Sequence, residues 1–151
     1  MSRIDESREF IAMRIAVLTV SDTRTEADDK SGDTLVERLT GEGHVLAARD
    51  ILPDDRAGIV AKLRQWIADP TIDGIWCLRG GYGAVRIAED ALGLLTAEAQ
   101  NKTYLGYSDA GTLLGGLYRQ RIGQQVHAPM PGDIRREGGE AAVRRTLGYL
   151  A

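Results

Sequence analysis

The run Ile15-Ala-Val-Leu-Thr-Val20 limits this chain more than any other feature. It is β-rich and continuously apolar instead of alternating, so neither face can be left in water. Strands of that kind belong to parallel sheets covered on both sides. The rest of the chain keeps a strand-then-helix rhythm. A helical stripe through Leu35, Val36 and Leu39 is ended by Gly41 and Gly43. His44 to Ile51 reads as a second strand. Ile59, Val60, Leu63, Trp66 and Ile67 form a second stripe, stopped by Asp69-Pro70. Ile75 to Leu78, Tyr104 to Tyr107 and Gln125 to Ala128 supply three more strands, with helices expected at about 84 to 95, 110 to 121 and 138 to 150. Strands joined by right-handed helical crossovers give an α/β three-layer αβα sandwich with a five-stranded, mainly parallel sheet.

At 151 residues the chain is one domain with room for a core of its own. A net charge of -3 argues against a general nucleic-acid binder. Cys77 is the single cysteine, sits in an apolar run and has no partner for a disulfide, so it reads as a small buried hydrophobe. No stretch is long and apolar enough to span a bilayer and the N-terminus has no signal pattern, so the expected location is cytoplasmic. The cluster Arg135, Arg136, Arg144 and Arg145 reads as a solvated helix face, with an anion or partner patch as the alternative.

Two sets of motifs divide the chain. The first comprises Ile15-Ala-Val-Leu-Thr-Val-Ser-Asp-Thr-Arg24, Asp28-Asp-Lys-Ser-Gly-Asp33, Leu52-Pro-Asp-Asp55 and Trp66-Ile-Ala-Asp-Pro70. Residues up to about 74 thereby resemble the MoaB/MogA family of molybdenum-cofactor biosynthesis proteins. The second comprises Ile75-Trp-Cys-Leu-Arg-Gly-Gly-Tyr-Gly83, Tyr104-Leu-Gly-Tyr-Ser-Asp109 and His127-Ala-Pro-Met130. Residues 75–151 thereby resemble the N-terminal domain of LD-carboxypeptidases, serine peptidases that trim peptidoglycan tetrapeptides. The seam falls near Ala68 to Ile75, and a recombined or engineered chimera is the origin this division implies. Both resemblances imply related three-layer folds, so a single flavodoxin-like sheet in the order 2-1-3-4-5 is expected.

That order puts ligands outside the C-terminal ends of the strands, where the strand order reverses between the first and third. Ser21-Asp-Thr-Arg24 and Arg79-Gly-Gly-Tyr-Gly83 should face each other there. Hydroxyls and a guanidinium suit phosphate or pterin groups, and the cofactor-family resemblance makes Ser21, Asp22, Thr23, Arg24 and Asp54 the remains of a molybdopterin site. The same residues are ordinary turn and cap formers, with Asp54 a candidate N-cap. Where that family carries a Gly-Gly-Thr-Gly loop and a second catalytic acid, this chain has Arg79-Gly-Gly-Tyr-Gly83 and then Ala84-Val-Arg-Ile-Ala. Its late Pro-Gly-x-Pro loop is missing too.

Leu105-Gly-Tyr-Ser-Asp109 lies between an apolar strand and an apolar helix, which would stand Ser108 on a tight strand-to-helix turn. The peptidase resemblance implies that Ser108 is a nucleophile, with oxyanion-hole N–H groups at Asp109 and at Gly80 or Gly81. A helix N-cap is the plain alternative for Ser108. A serine nucleophile needs a base and an orienting partner, and in the family the Glu and His come from a C-terminal domain that lies outside these residues. His44 is expected on the wrong edge of the sheet, as a solvated or helix-end residue. His127 should end on the Ser108 edge, but matches a scaffold segment of the family. The expectation is a folded domain with neither active site complete, no bound cofactor or metal, and no nucleic-acid or membrane partner. A weak phosphate or molybdopterin-like ligand and a homo-oligomer remain open as partners.

Overall fold

The computed structural model describes residues 9–77 and 83–150, apart from the side chain of Ile87. Strands and helices alternate as β1 (Arg14–Val20), α1 (Lys30–Gly41), β2 (Val45–Leu52), α2 (Arg56–Ala68), β3 (Gly74–Trp76), α3 (Ala84–Gly93), β4 (Thr103–Gly106), α4 (Ala110–Gln120), β5 (Gln124–His127) and α5 (Gly139–Leu150). Every strand pairing is parallel, and the order is the expected 2-1-3-4-5. β4 and β5 begin and end one residue earlier than the periodicity suggests, and the expected end of β3 at Leu78 lies outside the described residues.

Successive strand residues point to opposite faces, and β3 shows both faces occupied. Trp76 packs with Met13, Ile15, Val17, Leu39 and Leu147, under α1 and α5. Ile75 packs instead with Leu92, Tyr104, Leu114 and Leu117, under α3 and α4. Leu105 and Leu117 are almost wholly out of water, and burial on that scale contributes about 1.5–3 kcal/mol per side chain. Trp66 is buried; Trp76 is only half-buried, because its indole N–H reaches out to the Pro129 carbonyl at 3.0 Å. Cys77 is likewise only partly covered, and burial pushes its thiol pKa up.

β1 and β3 pair directly, as expected, but through a short contact in which Ile15 faces Gly74. Arg14 secures it. Its guanidinium reaches the Asp73 carboxylate at 2.5 and 3.0 Å, and its backbone N–H donates to the same group at 2.8 Å. The turn leading into β3 is closed from below by Lys102, which is buried and donates to the carbonyls of Asp69, at 2.5 Å, and Ile72.

The expectation for His44 holds for its place, between α1 and β2 on the edge away from Ser108, and fails for its surroundings, which are not solvent. His44 is 3% exposed, and its ring joins three elements. The Met13 N–H can only donate, so Nδ1 at 3.1 Å is the acceptor; Nε2 then carries the proton and donates to the Leu147 carbonyl at 3.0 Å. The arginine cluster also departs from a plain helix face. Arg135 and Arg136 precede α5, while Arg144 pairs with Glu42 at 2.8 Å.

Candidate functional site: a serine on a strand-to-helix turn

Buried Tyr104 and Leu105 drive β4 into the core, and apolar Leu114 and Leu117 do the same for α4. The chain therefore has only Tyr107 to Asp109 in which to reverse. Gly106 makes this sterically feasible, since a Cβ there would lie 3.1 Å from the Ala110 Cβ and 3.3 Å from that of Cys77. The remaining conformational demand falls on Ser108, whose φ is 57°. An L-residue in that left-handed region costs about 1–2 kcal/mol.

Ser108 is exposed, and its hydroxyl bonds no other described residue. The N-cap alternative therefore finds no bond, and the cap position of α4 is Asp109. The Asp109 side chain is used elsewhere. Its Oδ2 accepts from the N–H groups of Gly83 and Ala84, both at 3.0 Å, at the start of α3. A carboxylate is favoured at that helix end, where unpaired N–H groups converge. The end of the Gly-rich loop is thus tied to the residue after Ser108. Gly80 and Gly81 lie outside the described residues. The Asp109 backbone N–H makes no hydrogen bond to another described residue, which leaves it a donor beside the hydroxyl.

His127 ends β5 in register with Gly106, so it shares the Ser108 edge as expected. Its ring stands edge-on to that of Tyr107, with centroids 6.1 Å apart, and makes no hydrogen bond to Ser108. Beyond β4 and β5 lies an open cleft of about 330 Å³ lined by Tyr107, His127, Asp133, Arg136 and Glu137 among others. Tyr107 donates to Asp133 Oδ1 at 3.0 Å and accepts from Arg136 Nη1 at 3.0 Å. Sequence reasoning missed this group: Arg136 was visible only as one of an arginine cluster, and nothing local pointed to Tyr107 or Asp133.

The other half of the edge is built differently. Ser21 Oγ accepts from the N–H groups of Thr23 and Arg24, at 3.3 and 3.2 Å, forming a compact turn. Asp22 accepts from the Asp54 N–H at 3.0 Å, so these two sequence candidates do meet. The cap proposed for Asp54 belongs to its neighbour: Asp55 accepts from Gly58 at 2.7 Å. Arg24 is turned toward Ser31, at 3.0 Å, and Asp29, at 3.5 Å. Asp29 is fully buried and caps α1 through the Gly32 N–H, with Thr19 and Arg49 also donating to it. Burial alone would raise its pKa, but these donors outweigh it and hold the carboxyl below its ordinary range. The expected approach of Ser21–Arg24 to the loop at 79–83 falls largely outside the described residues.

A parallel α/β sheet of this order, with a left-handed serine after its fourth strand, defines a domain that displays a hydroxyl at its C-terminal edge. The family model for the LD-carboxypeptidase N-terminal domain matches residues 15–128, and the chain belongs to that family. It is also homologous to proteins named molybdenum cofactor biosynthesis protein B. It is 39% identical over 77 residues to the one from Escherichia coli (strain K12), covering 51% of this chain and 45% of that protein. It is 35% identical over 134 residues to the one from Staphylococcus carnosus (strain TM300), covering 80% and 77%. A putative carboxypeptidase of Streptomyces coelicolor is 36% identical over 90 residues, covering 56% of this chain and 27% of that protein. The chain thus spans less than half the length of the Escherichia coli protein and about a quarter of the carboxypeptidase. The mixed resemblance read from the motifs stands. Among the described residues, no helix is long and apolar enough to cross a membrane.

Proposed function

We propose that the chain is the nucleophile-bearing part of a serine acyl-transfer site, with Ser108 as acyl acceptor. The observation that carries this reading is the left-handed, exposed conformation of Ser108 between buried strand and helix. Strain is retained where surrounding packing over-determines it, and a serine lifted on such a turn meets a substrate carbonyl without hindrance. The Asp109 N–H, with a donor from Gly80 or Gly81, would receive the negative charge that develops on the carbonyl oxygen. In the acylation step the Oγ–carbonyl carbon bond forms, the bond to the leaving group breaks, and the hydroxyl proton passes through solvent water to the departing group. With no histidine bonded to Ser108, this chain by itself is acylated slowly and does not turn over.

A fluorophosphonate probe tests the reading. Slow, stoichiometric modification located at Ser108 by peptide mass spectrometry, and lost in Ser108→Ala, is the expected result. Modification elsewhere, or none after prolonged exposure, refutes it. The molybdopterin reading has less support, because Arg24 is engaged with Asp29 and Ser31. For the origin of the chain we favour a natural or engineered joining of two related sheets near Ala68 to Ile75, supported by the motif division.

A further inference from the structure

We infer that the Asp109 side chain is a positioning residue: its carboxylate clamps the serine turn to the start of α3, and so holds Ser108 left-handed and keeps the Asp109 N–H aimed outward. The inference rests on the acyl-transfer reading and supplies its positioning device. An aspartate that opens a helix ordinarily accepts from the first turn of that same helix. Asp109 does not. It stands at the cap position of α4 with φ -55° and ψ -40°, already helical, and its side chain caps none of that helix's N–H groups. The carboxylate crosses to α3 instead, where Gly83 holds the cap position and has no side chain to close it. Both bonds, of 3.0 Å, fall on the single oxygen Oδ2, from successive N–H groups 26 and 25 residues back along the chain. Meanwhile α4 starts on main-chain bonds alone, from Gly111 to the Ser108 carbonyl at 2.9 Å and from Thr112 to the Asp109 carbonyl at 3.1 Å.

One peptide plane carries the consequence. The trans peptide between Ser108 and Asp109 has the Ser108 carbonyl at one edge and the Asp109 N–H at the other, pointing opposite ways. Because the carbonyl is turned into α4, the N–H is turned out of it, toward solvent and a substrate. Returning Ser108 to negative φ requires the chain on its two sides to move relative to each other, and the tie from Asp109 to α3 opposes that movement. The left-handed region is disfavoured for an L-residue by roughly five- to thirtyfold, so the conformation depends on such ties. A bystander carboxylate would act with the opposite sign. Its negative charge, on the residue whose N–H receives the developing oxyanion, repels that charge, and deleting it would speed acylation.

The test compares the rate of fluorophosphonate modification at Ser108 in the whole chain, in Asp109→Ala and in Asp109→Asn, each held well below its Tm so that folded molecules are compared. Asp109 is partly exposed, so alanine is accommodated there. Losing the clamp should slow modification about tenfold in Asp109→Ala. The asparagine oxygen can accept from the same two N–H groups, and should bring the rate back to within about threefold of the original. A second readout needs no reactivity. The Tm advantage of Ser108→Gly over Ser108→Ala should shrink by about half or more when Asp109→Ala is added, because the turn then relaxes without glycine. Modification of Asp109→Ala at or above the original rate, no recovery in Asp109→Asn, or a glycine advantage that survives undiminished overturns the inference. An unreactive Ser108 whose glycine advantage collapses in Asp109→Ala sinks the acyl-transfer reading and leaves the clamp standing; a reactive Ser108 indifferent to Asp109→Ala sinks only the clamp.

Discussion

Replacing Ser108 by alanine and by glycine separates its chemistry from its backbone. Both variants delete a hydroxyl that bonds no other described residue, and the side chain is exposed, so alanine should change stability by less than about 0.5 kcal/mol. Alanine keeps the cost of φ = 57°; glycine does not. Relief of that conformation is worth about 1–2 kcal/mol, and the greater entropy of unfolded glycine takes back about 0.4–1 kcal/mol. Glycine should therefore be more stable than alanine by about 0.5–1 kcal/mol, or about 1–4 °C in Tm for a chain of this size. Urea melts of the three proteins, with unchanged slope, give the comparison directly, and neither variant should react with the fluorophosphonate. A glycine variant no more stable than the alanine variant would refute the claim that this turn stores strain.

Three further outcomes follow from the packing. Asp29→Asn should destabilise by about 1–3 kcal/mol, because the Thr19, Gly32 and Arg49 donors lose a charged acceptor while Arg49 keeps Asp33 at 2.7 Å. Because the folded Asp29 pKa is lowered, its contribution is present above the ordinary carboxylate pKa and lost as pH falls through the folded value; acid titrations of stability should show a shallower decline in Asp29→Asn. Burial raises the Tyr104 pKa to about 12, so folding holds a proton that the unfolded chain releases near pH 10. Stability should consequently fall by about 2–3 kcal/mol between pH 10 and 12, a loss absent from Tyr104→Phe in circular-dichroism melts. Gly123→Ala should cost about 2–4 kcal/mol in urea unfolding. Its φ is +64°, and a Cβ would lie 2.5 Å from the Lys102 carbonyl oxygen and 2.9 Å from that of Ala99.

What could be read from the sequence was what local chemistry dictates. The continuous apolar strands forced a two-sided cover, and right-handed crossovers then left few sheet orders to choose from. Ser108 was legible because Leu105-Gly-Tyr-Ser-Asp109 lies between an apolar strand and an apolar helix, and because of the peptidase resemblance. His44 was not. Its partners, the Met13 N–H and the Leu147 carbonyl, come from opposite ends of the chain, and a lone histidine beside glycine carries no sign of them. Asp29 was visible only as part of the motif Asp28 to Asp33; its cap role and burial depend on Arg49 arriving from β2. Arg136 was obscured by company, because four arginines near a helix look alike until the fold brings Tyr107 to one of them.

The division of labour along the Ser108 turn argues that the turn is a built device and not an accident of connection. Tyr107 reaches forward to Asp133 and Arg136, and Asp109 reaches back to Gly83 and Ala84. The residues on either side of the serine are therefore anchored to different parts of the chain, and both anchors resist relaxation of the strained φ between them. The Ser108 hydroxyl alone is left without a bond to any described residue, while its carbonyl accepts from the Gly111 N–H at 2.9 Å. A turn whose only task was to connect β4 to α4 would relax more cheaply with glycine at that position, as the alanine and glycine comparison will measure. Retaining a hydroxyl at the strained residue, with both neighbours tied down, is what presenting that hydroxyl to something outside the fold requires.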